Sequence, residues 1–339
     1  MSSAPLKDPA MARSRSAEPF AREAGAGPGV VCLHANASNS GQWRALSEQL
    51  ATRFHVLAPD FFDCVRDSLW AGKPVTSLKD EAAWIEPVVA RAGEPLVLVG
   101  HSYGAAVAMI AALSRPERVR ALVVYEPTLF SLLDAESASP NDADGVREAA
   151  GDAAEAAALG DLDGAARRFI DYWMGSGAWG RTPEPRKPAI AASMNNVRRW
   201  AQALFDEPTP LAAFRSLDLP VLYMVGAISP PPTLGVARLM ATVLPHAEFQ
   251  MFEDLGHMGP VTDPAQVNEA ISIFLNRVVP KQIPLPSLRG SRAHTRSGEL
   301  PNIIGGAVVC CKRAEPQASV EGQPRCAKRD ARLGVGSHR

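Results

Sequence analysis

Ser102 stands in Gly100-His101-Ser102-Tyr103-Gly104, between the apolar run Leu96-Val97-Leu98-Val99 and the helix-like segment Ala105–Leu113. A serine hydroxyl becomes a useful nucleophile when it projects into a cleft beside a base. A sharp strand-to-helix turn achieves this, but it strains the backbone and crowds neighbouring chain. Glycines two before and two after the serine remove the side chains that would collide. A helix beginning next to the serine aims free N–H groups and its dipole at developing negative charge. The pentapeptide is a loose pattern; the expected strand before it and helix after it make Ser102 a candidate nucleophile rather than a plain tight turn.

Such a serine needs a base, and the chain has seven histidines. His257 is the candidate because it follows an expected strand, in Phe252-Glu253-Asp254-Leu255-Gly256-His257-Met258-Gly259-Pro260. Loops that follow the strands of a parallel sheet open on one edge, so His257 can meet Ser102 there. His101 lies inside the turn, His55 and His246 in or beside packed elements, and His294 and His338 near the end of the chain. A carbonyl oxygen gaining charge needs two donors. One is the backbone N–H of Tyr103. The second is sought in His34-Ala35-Asn36-Ala37-Ser38, after the first expected strand. There the Asn36 N–H is the candidate, with its side-chain amide as a further donor and Ala35 beside it. His34 is expected to fix this loop by hydrogen bonding.

Six apolar runs read as the strands that must position these groups: Val30–Leu33, Phe54–Ala58, Leu96–Val99, Val119–Tyr125, Val221–Val225 and Glu248–Phe252. Trp43, Leu46 and Leu50 recur at helical spacing, and helices are expected over Lys79–Ala92, Thr233–Leu244 and Pro264–Val278. This alternation predicts an α/β fold, a doubly wound and mostly parallel sheet of about six strands. Between the fourth and fifth strands it breaks, with helical segments over Val146–Leu159, Leu162–Met174 and Ala189–Phe205 and no strand. Residues 128–216 therefore read as a helical lid over the ligand-binding edge, inserted in a core of residues 30–127 and 217–279. Tyr172, Trp173, Trp179, Trp200 and Phe205 either line a pocket or pack the lid's own core.

Residues 1–29 and 280–339 show no sustained apolar period and are expected to be disordered. The second stretch carries eleven of the 35 basic side chains and four of the 36 acidic ones, leaving a mildly acidic body that argues against nucleic-acid binding. No run is long and apolar enough to cross a membrane, and the first 29 residues lack the apolar segment of a secretory signal, so a cytoplasmic location is expected. The five cysteines form no metal or disulfide pattern.

Taken together, the Gly100–Gly104 turn, the His34-Ala35-Asn36 loop followed by Trp43, and the late Gly256-His257 resemble the α/β-hydrolase superfamily over roughly residues 29–279. Two departures stand out. The oxyanion loop of relatives usually reads His-Gly, here His34-Ala35. The catalytic acid usually lies after the strand placed at Val221–Val225, where this chain has Gly226-Ala227-Ile228-Ser229-Pro230, with Ser229 at the acid's position. Some relatives carry the acid one strand earlier, which points to Glu126 in Tyr125-Glu126-Pro127. Asp254, three residues before His257, is an alternative, as is a site without an acid; Asp60 reads as a turn residue. The resemblance implies cofactor-free and metal-free hydrolysis of an ester-like bond in a small apolar molecule by Ser102, His257 and Glu126. Lyase, carbon–carbon hydrolase or perhydrolase chemistry, or a non-catalytic binding protein, are the other readings the same scaffold allows.

Overall fold

The computed structural model describes residues 18–64 and 76–279. Seven strands form one sheet: β1 (Ala21–Ala24), β2 (Gly29–Leu33), β3 (His55–Pro59), β4 (Leu96–His101), β5 (Val119–Tyr125), β6 (Val221–Gly226) and β7 (Ala247–Phe252). Their order is β1-β3-β2-β4-β5-β6-β7, and every pairing is parallel except β1 with β3. The central strands are buried on both faces, which is why they read as unbroken apolar runs. Successive side chains part to opposite faces. Val31 and Leu33 of β2, with Leu96 and Leu98 of β4, enter one core; Val30, Cys32, Val97 and Val99 enter the other.

The first core is covered by α2 (Leu78–Arg91), α3 (Tyr103–Ser114) and α10 (Pro231–Ala241), the second by α1 (Arg44–Leu50) and α12 (Pro264–Val278). Between β5 and β6 lie α4 (Ser131–Glu136), α5 (Asp144–Ala158), α6 (Leu162–Met174), α7 (Ala178–Arg181), α8 (Lys187–Ser193) and α9 (Val197–Phe205), with no strand among them. The short α11 (Gly259–Thr262) precedes α12.

Two expectations need correction. The segment up to Gly29 is not featureless throughout, because Ala21–Ala24 pairs antiparallel with β3 and makes the sheet seven-stranded rather than six-stranded. Its sequence has no apolar alternation; ladder hydrogen bonds and the Glu23 contacts with His55 (2.6 Å) and Arg91 hold it instead. The helix expected over Ala189–Phe205 is also not continuous, since a 3₁₀ turn at Met194–Asn196 separates α8 from α9. The expected disorder of residues 1–17 and 280–339 lies outside the described residues.

One buried carboxyl joins four parts of the chain. Glu81, in the first turn of α2, accepts from the Phe62 N–H (2.7 Å) and the Tyr103 hydroxyl (3.2 Å), and Arg199 of α9 reaches it at 3.3 Å. Burial, reinforced by the charge of Asp63, pushes the Glu81 carboxyl up to about 7 against the opposing pull of the Phe62 N–H and Arg199. The folded state therefore holds a proton between pH 4.5 and about 7 that the unfolded chain has released, so this group's stabilising contribution is lost as pH rises through that window. Glu81→Gln removes the titration. Relative to wild type, the variant should gain on the order of 3 kcal/mol in unfolding free energy across this window, measured by urea denaturation on either side of it. A wild-type-to-variant difference that stays constant across it would refute the assignment.

Candidate active site

Ser102 caps α3 with φ 55° and ψ −118°, a left-handed conformation uncommon for a residue with a side chain. Neighbouring chain is close on both sides of it. A Cβ on Gly100 would lie 2.5 Å from the Ala105 Cα, and one on Gly104 would lie 2.5 Å from the His34 carbonyl oxygen. The Ser102 N–H donates to the Tyr125 carbonyl at 2.9 Å, which ties the turn to the end of β5. The serine side chain makes no capping bond to the helix and is turned instead toward His257.

The structure brings Ser102, His257 and Glu126 into one chain of contacts. His257 Nε2 lies 2.9 Å from Ser102 Oγ, and its Nδ1 lies 2.6 Å from Glu126 Oε2. Glu126 is fully buried and sits at φ 47°, directly after β5. Its other oxygen accepts from the Gly226 N–H (2.7 Å) and the Ser229 hydroxyl (2.6 Å). Ser229, where relatives usually carry the acid, is thus a donor to a carboxyl arriving from the neighbouring strand. Asp254 is exposed, and the ring nitrogen it would orient is taken by Glu126.

Tyr103 is the first residue of α3, so its N–H has no partner four residues back. Across the cleft, the Ala35 N–H is committed to Gln42 Oε1 at 3.1 Å, leaving Ala35 as wall and Asn36 as the next N–H along the loop. Asn36 Oδ1 is buried without a hydrogen-bond partner. His34 faces the Ala35 carbonyl through Nδ1 (2.8 Å) and accepts the Phe61 N–H at Nε2 (3.2 Å), a bracing role. His34, Asp60 and Cys64 lie within metal-chelating reach of one another. Their donors are already engaged: Asp60 accepts the Ser40 N–H at 2.6 Å, His34 is bonded as described, and burial pushes the Cys64 thiol up. Asp60 acts as the turn residue expected.

Sequence reasoning missed a second relay behind the first. Gln42, while holding Ala35 through its oxygen, lies with Nε2 3.0 Å from His101 Nδ1, and His101 Nε2 reaches the His257 carbonyl at 2.8 Å. Burial, with repulsion from His257, holds the His101 ring well below its usual pKa. A neutral ring with its proton on Nε2 satisfies both contacts: Gln42 donates to Nδ1, and Nε2–H donates to the His257 carbonyl. The His34–Asn36 loop, the Ser102 turn and the His257 loop are thereby tied together.

The cavity over Ser102 is apolar and small, about 40 Å³, room for no more than a few waters. Phe130, Phe169, Trp173, Trp200, Leu204 and Phe205 supply most of its bulk. The Trp173 ring stacks on His257, centroids 4.1 Å apart at 28°. The aromatics of the helical insertion divide between the two roles the sequence allowed. Trp173, Trp200 and Phe205 face the cavity, while Trp179 is buried away from it and bonds Asp163 through its indole N–H (2.9 Å).

This architecture is that of the α/β hydrolases. Residues 30–270 match the Alpha/beta hydrolase family, and the chain belongs to it. Lipase LipV of Mycobacterium tuberculosis is 26% identical over 265 residues, which span 71% of this chain and 91% of that protein. Among solved structures, carboxylesterase CesB of Bacillus subtilis aligns with a TM-score of 0.59 at 19% identity, over 76% of this chain and 87% of that one. The hydrolase olei00960 of Oleispira antarctica aligns with a TM-score of 0.63 at 18% identity, over 78% and 97%. The chain is accordingly a hydrolase by family. Among the described residues, no helix is long and apolar enough to cross a membrane.

Gln42→Leu should expose the importance of the second relay. It strands the Ala35 N–H and the His101 acceptor, at a cost of about 1–3 kcal/mol in stability, with hydrolytic kcat falling more than KM changes. Urea denaturation and steady-state kinetics check this; wild-type values in both would show that the relay is idle.

Proposed function

We propose that this protein is a serine hydrolase that cleaves an ester-like bond in a small molecule with an apolar acyl part. The observation that carries the proposal is the unbroken line Ser102 Oγ, His257, Glu126 at 2.9 and 2.6 Å, opening into an apolar cavity. In this reading Ser102 attacks the carbonyl carbon as its proton passes to His257 Nε2. The charge arising on the carbonyl oxygen rests on the N–H groups of Tyr103 and Asn36. Glu126 stabilises the imidazolium and holds its tautomer, aided by Ser229 and Gly226. The ring then gives its proton to the departing oxygen, leaving an acyl-serine, and His257 next activates the water that releases the acid.

The helical insertion over residues 128–216 serves as the lid of this site, with Trp173 and Trp200 excluding water from the reacting bond. The narrow cavity favours short acyl groups, because a longer chain must force the aromatic wall apart. No step calls for a cofactor or metal.

A fluorophosphonate probe should label wild-type protein covalently at Ser102, since labelling requires an activated serine. Ser102→Ala should lose both labelling and aryl-ester turnover, the latter by about a thousandfold or more. Turnover within about tenfold of wild type would remove Ser102 from its role.

The acid assignment has its own test. Glu126→Gln keeps the shape but not the charge, and the comparable change in other serine hydrolases costs on the order of ten-thousandfold in kcat. Ser229→Ala removes one of two donors to Glu126 Oε1 and should cost only about tenfold. Asp254→Asn should be nearly silent. A crippled Asp254→Asn beside a near-normal Glu126→Gln would reverse the assignment.

A further inference from the structure

A groove of about 280 Å³ lies against the catalytic cavity, and the reaction as proposed does not use it. The two spaces share Asn36, Phe169, Trp173 and Met258 as walls. Most of the remaining groove lining is apolar or hydroxylic, but it includes Arg181 and Arg186 and no acidic side chain. Neither arginine has a carboxylate partner among the described residues; Arg181 donates to the Ser176 carbonyl at 3.3 Å. The acids of the same region are engaged elsewhere. Glu184 pairs with Lys187, Asp163 with Arg167 and the Trp179 indole, and Asp171 accepts the N–H groups of Gly177 and Trp179. Many other arginines of the chain do sit against carboxylates, among them Arg91, Arg118, Arg147 and Arg277.

The direction of the reaction says what the groove receives. His257 must hand its proton to the departing oxygen, so the leaving group lies on the His257 side of the carbonyl. His257 lines the inner cavity, and Trp173, stacked on that ring, and Met258, next to it in sequence, form the wall that this cavity shares with the groove. A leaving group that passes this shared wall on the His257 side enters the groove, with the acyl part kept in the inner cavity.

We propose that this groove is a leaving-group subsite for an alcohol or phenol with an apolar body and a carboxylate, the anion being read by Arg181 and Arg186. The proposal rests on the hydrolase reading above. The ester C–O bond breaks, the serine proton travels through His257 to the leaving oxygen, and water supplies hydroxyl to the acyl carbon and a proton back to Ser102. The distal carboxylate is unchanged throughout. Guanidinium groups suit it because they present paired donors at fixed geometry and stay charged. Both arginines are solvent-exposed, so each contributes modestly, and together they account for about a tenfold preference.

The test compares phenyl propanoate, 4-carboxyphenyl propanoate and 4-(2-carboxyethyl)phenyl propanoate on wild type and on the double variant Arg181→Gln, Arg186→Gln. Intrinsic leaving-group reactivity cancels when each anionic ester is referred to the phenyl ester and the two proteins are then compared. The expected result is a loss of about tenfold in that ratio for at least one anionic ester, mainly through KM and weakened in wild type by added salt, with phenyl propanoate turnover unchanged. Ratios that are the same in both proteins for both anionic esters overturn the proposal. If wild type cleaves none of the esters, the hydrolase reading fails by itself, and calorimetry with 4-hydroxybenzoate and 3-(4-hydroxyphenyl)propanoate decides the groove. Binding to wild type that the double variant loses upholds the anion site, and absent or equal binding overturns it.

Discussion

The site hangs on a carboxyl group with no access to water. Glu126 is fully buried, and such a group is tolerable only when its oxygens are matched by donors. Here the donors are the Gly226 N–H, the Ser229 hydroxyl and the His257 ring. Two come from the end of β6 and one from the loop after β7, so Glu126, itself at the end of β5, gathers three loops. The two donors on Glu126 Oε1 fix the carboxyl whose other oxygen meets the His257 ring, so they bear on the position of both side chains. The positive φ at Glu126 is the local cost of turning a side chain back under the strand it has just left.

The parallel sheet makes this gathering possible. Loops after parallel strands emerge on a common edge, and the twisted order of the strands puts β4, β5 and β6 side by side. The strained Ser102 turn, the Glu126 turn and the His257 loop are therefore neighbours without any long excursion. Gln42 and His101 then brace them from behind with hydrogen bonds through a ring that burial holds well below its usual pKa.

The helical insertion contributes shape rather than reacting groups. Its aromatics close a small apolar cavity over Ser102, and Trp173 stands where that cavity meets the arginine-bearing groove. Arg199 ties α9 to Glu81 beside Tyr103, so the insertion and the residue after Ser102 share a buried polar contact. The cavity is closed by apolar rings, while the adjoining groove carries Arg181 and Arg186, which have no carboxylate partner among the described residues.

The sequence by itself determined whatever depends on neighbours along the chain. Central strands buried on both faces must be apolar throughout, and a turn as tight as the one at Ser102 must be flanked by glycine. The strands β2 to β7, the serine turn and the loop bearing His257 were legible for those reasons. Glu126 was a candidate beside Asp254 and a site without an acid, because a strand-end carboxyl shows its position but not its partners, and folding sets it against His257. Tertiary structure alone decided what depends on contacts across the fold. The strand at Ala21–Ala24 exists because β3 offers it an edge, and nothing in its own pattern announces it. Gln42 is polar in a helix-forming stretch until folding sets it between Ala35 and His101, 59 residues away. Ser229 looks like a missing acid until Glu126, 103 residues earlier, is laid against it. Trp173 and Trp179 are indistinguishable by type, yet one stacks on His257 and the other packs within the insertion. Local pattern records which face of an element is buried; only the folded chain chooses what that face meets.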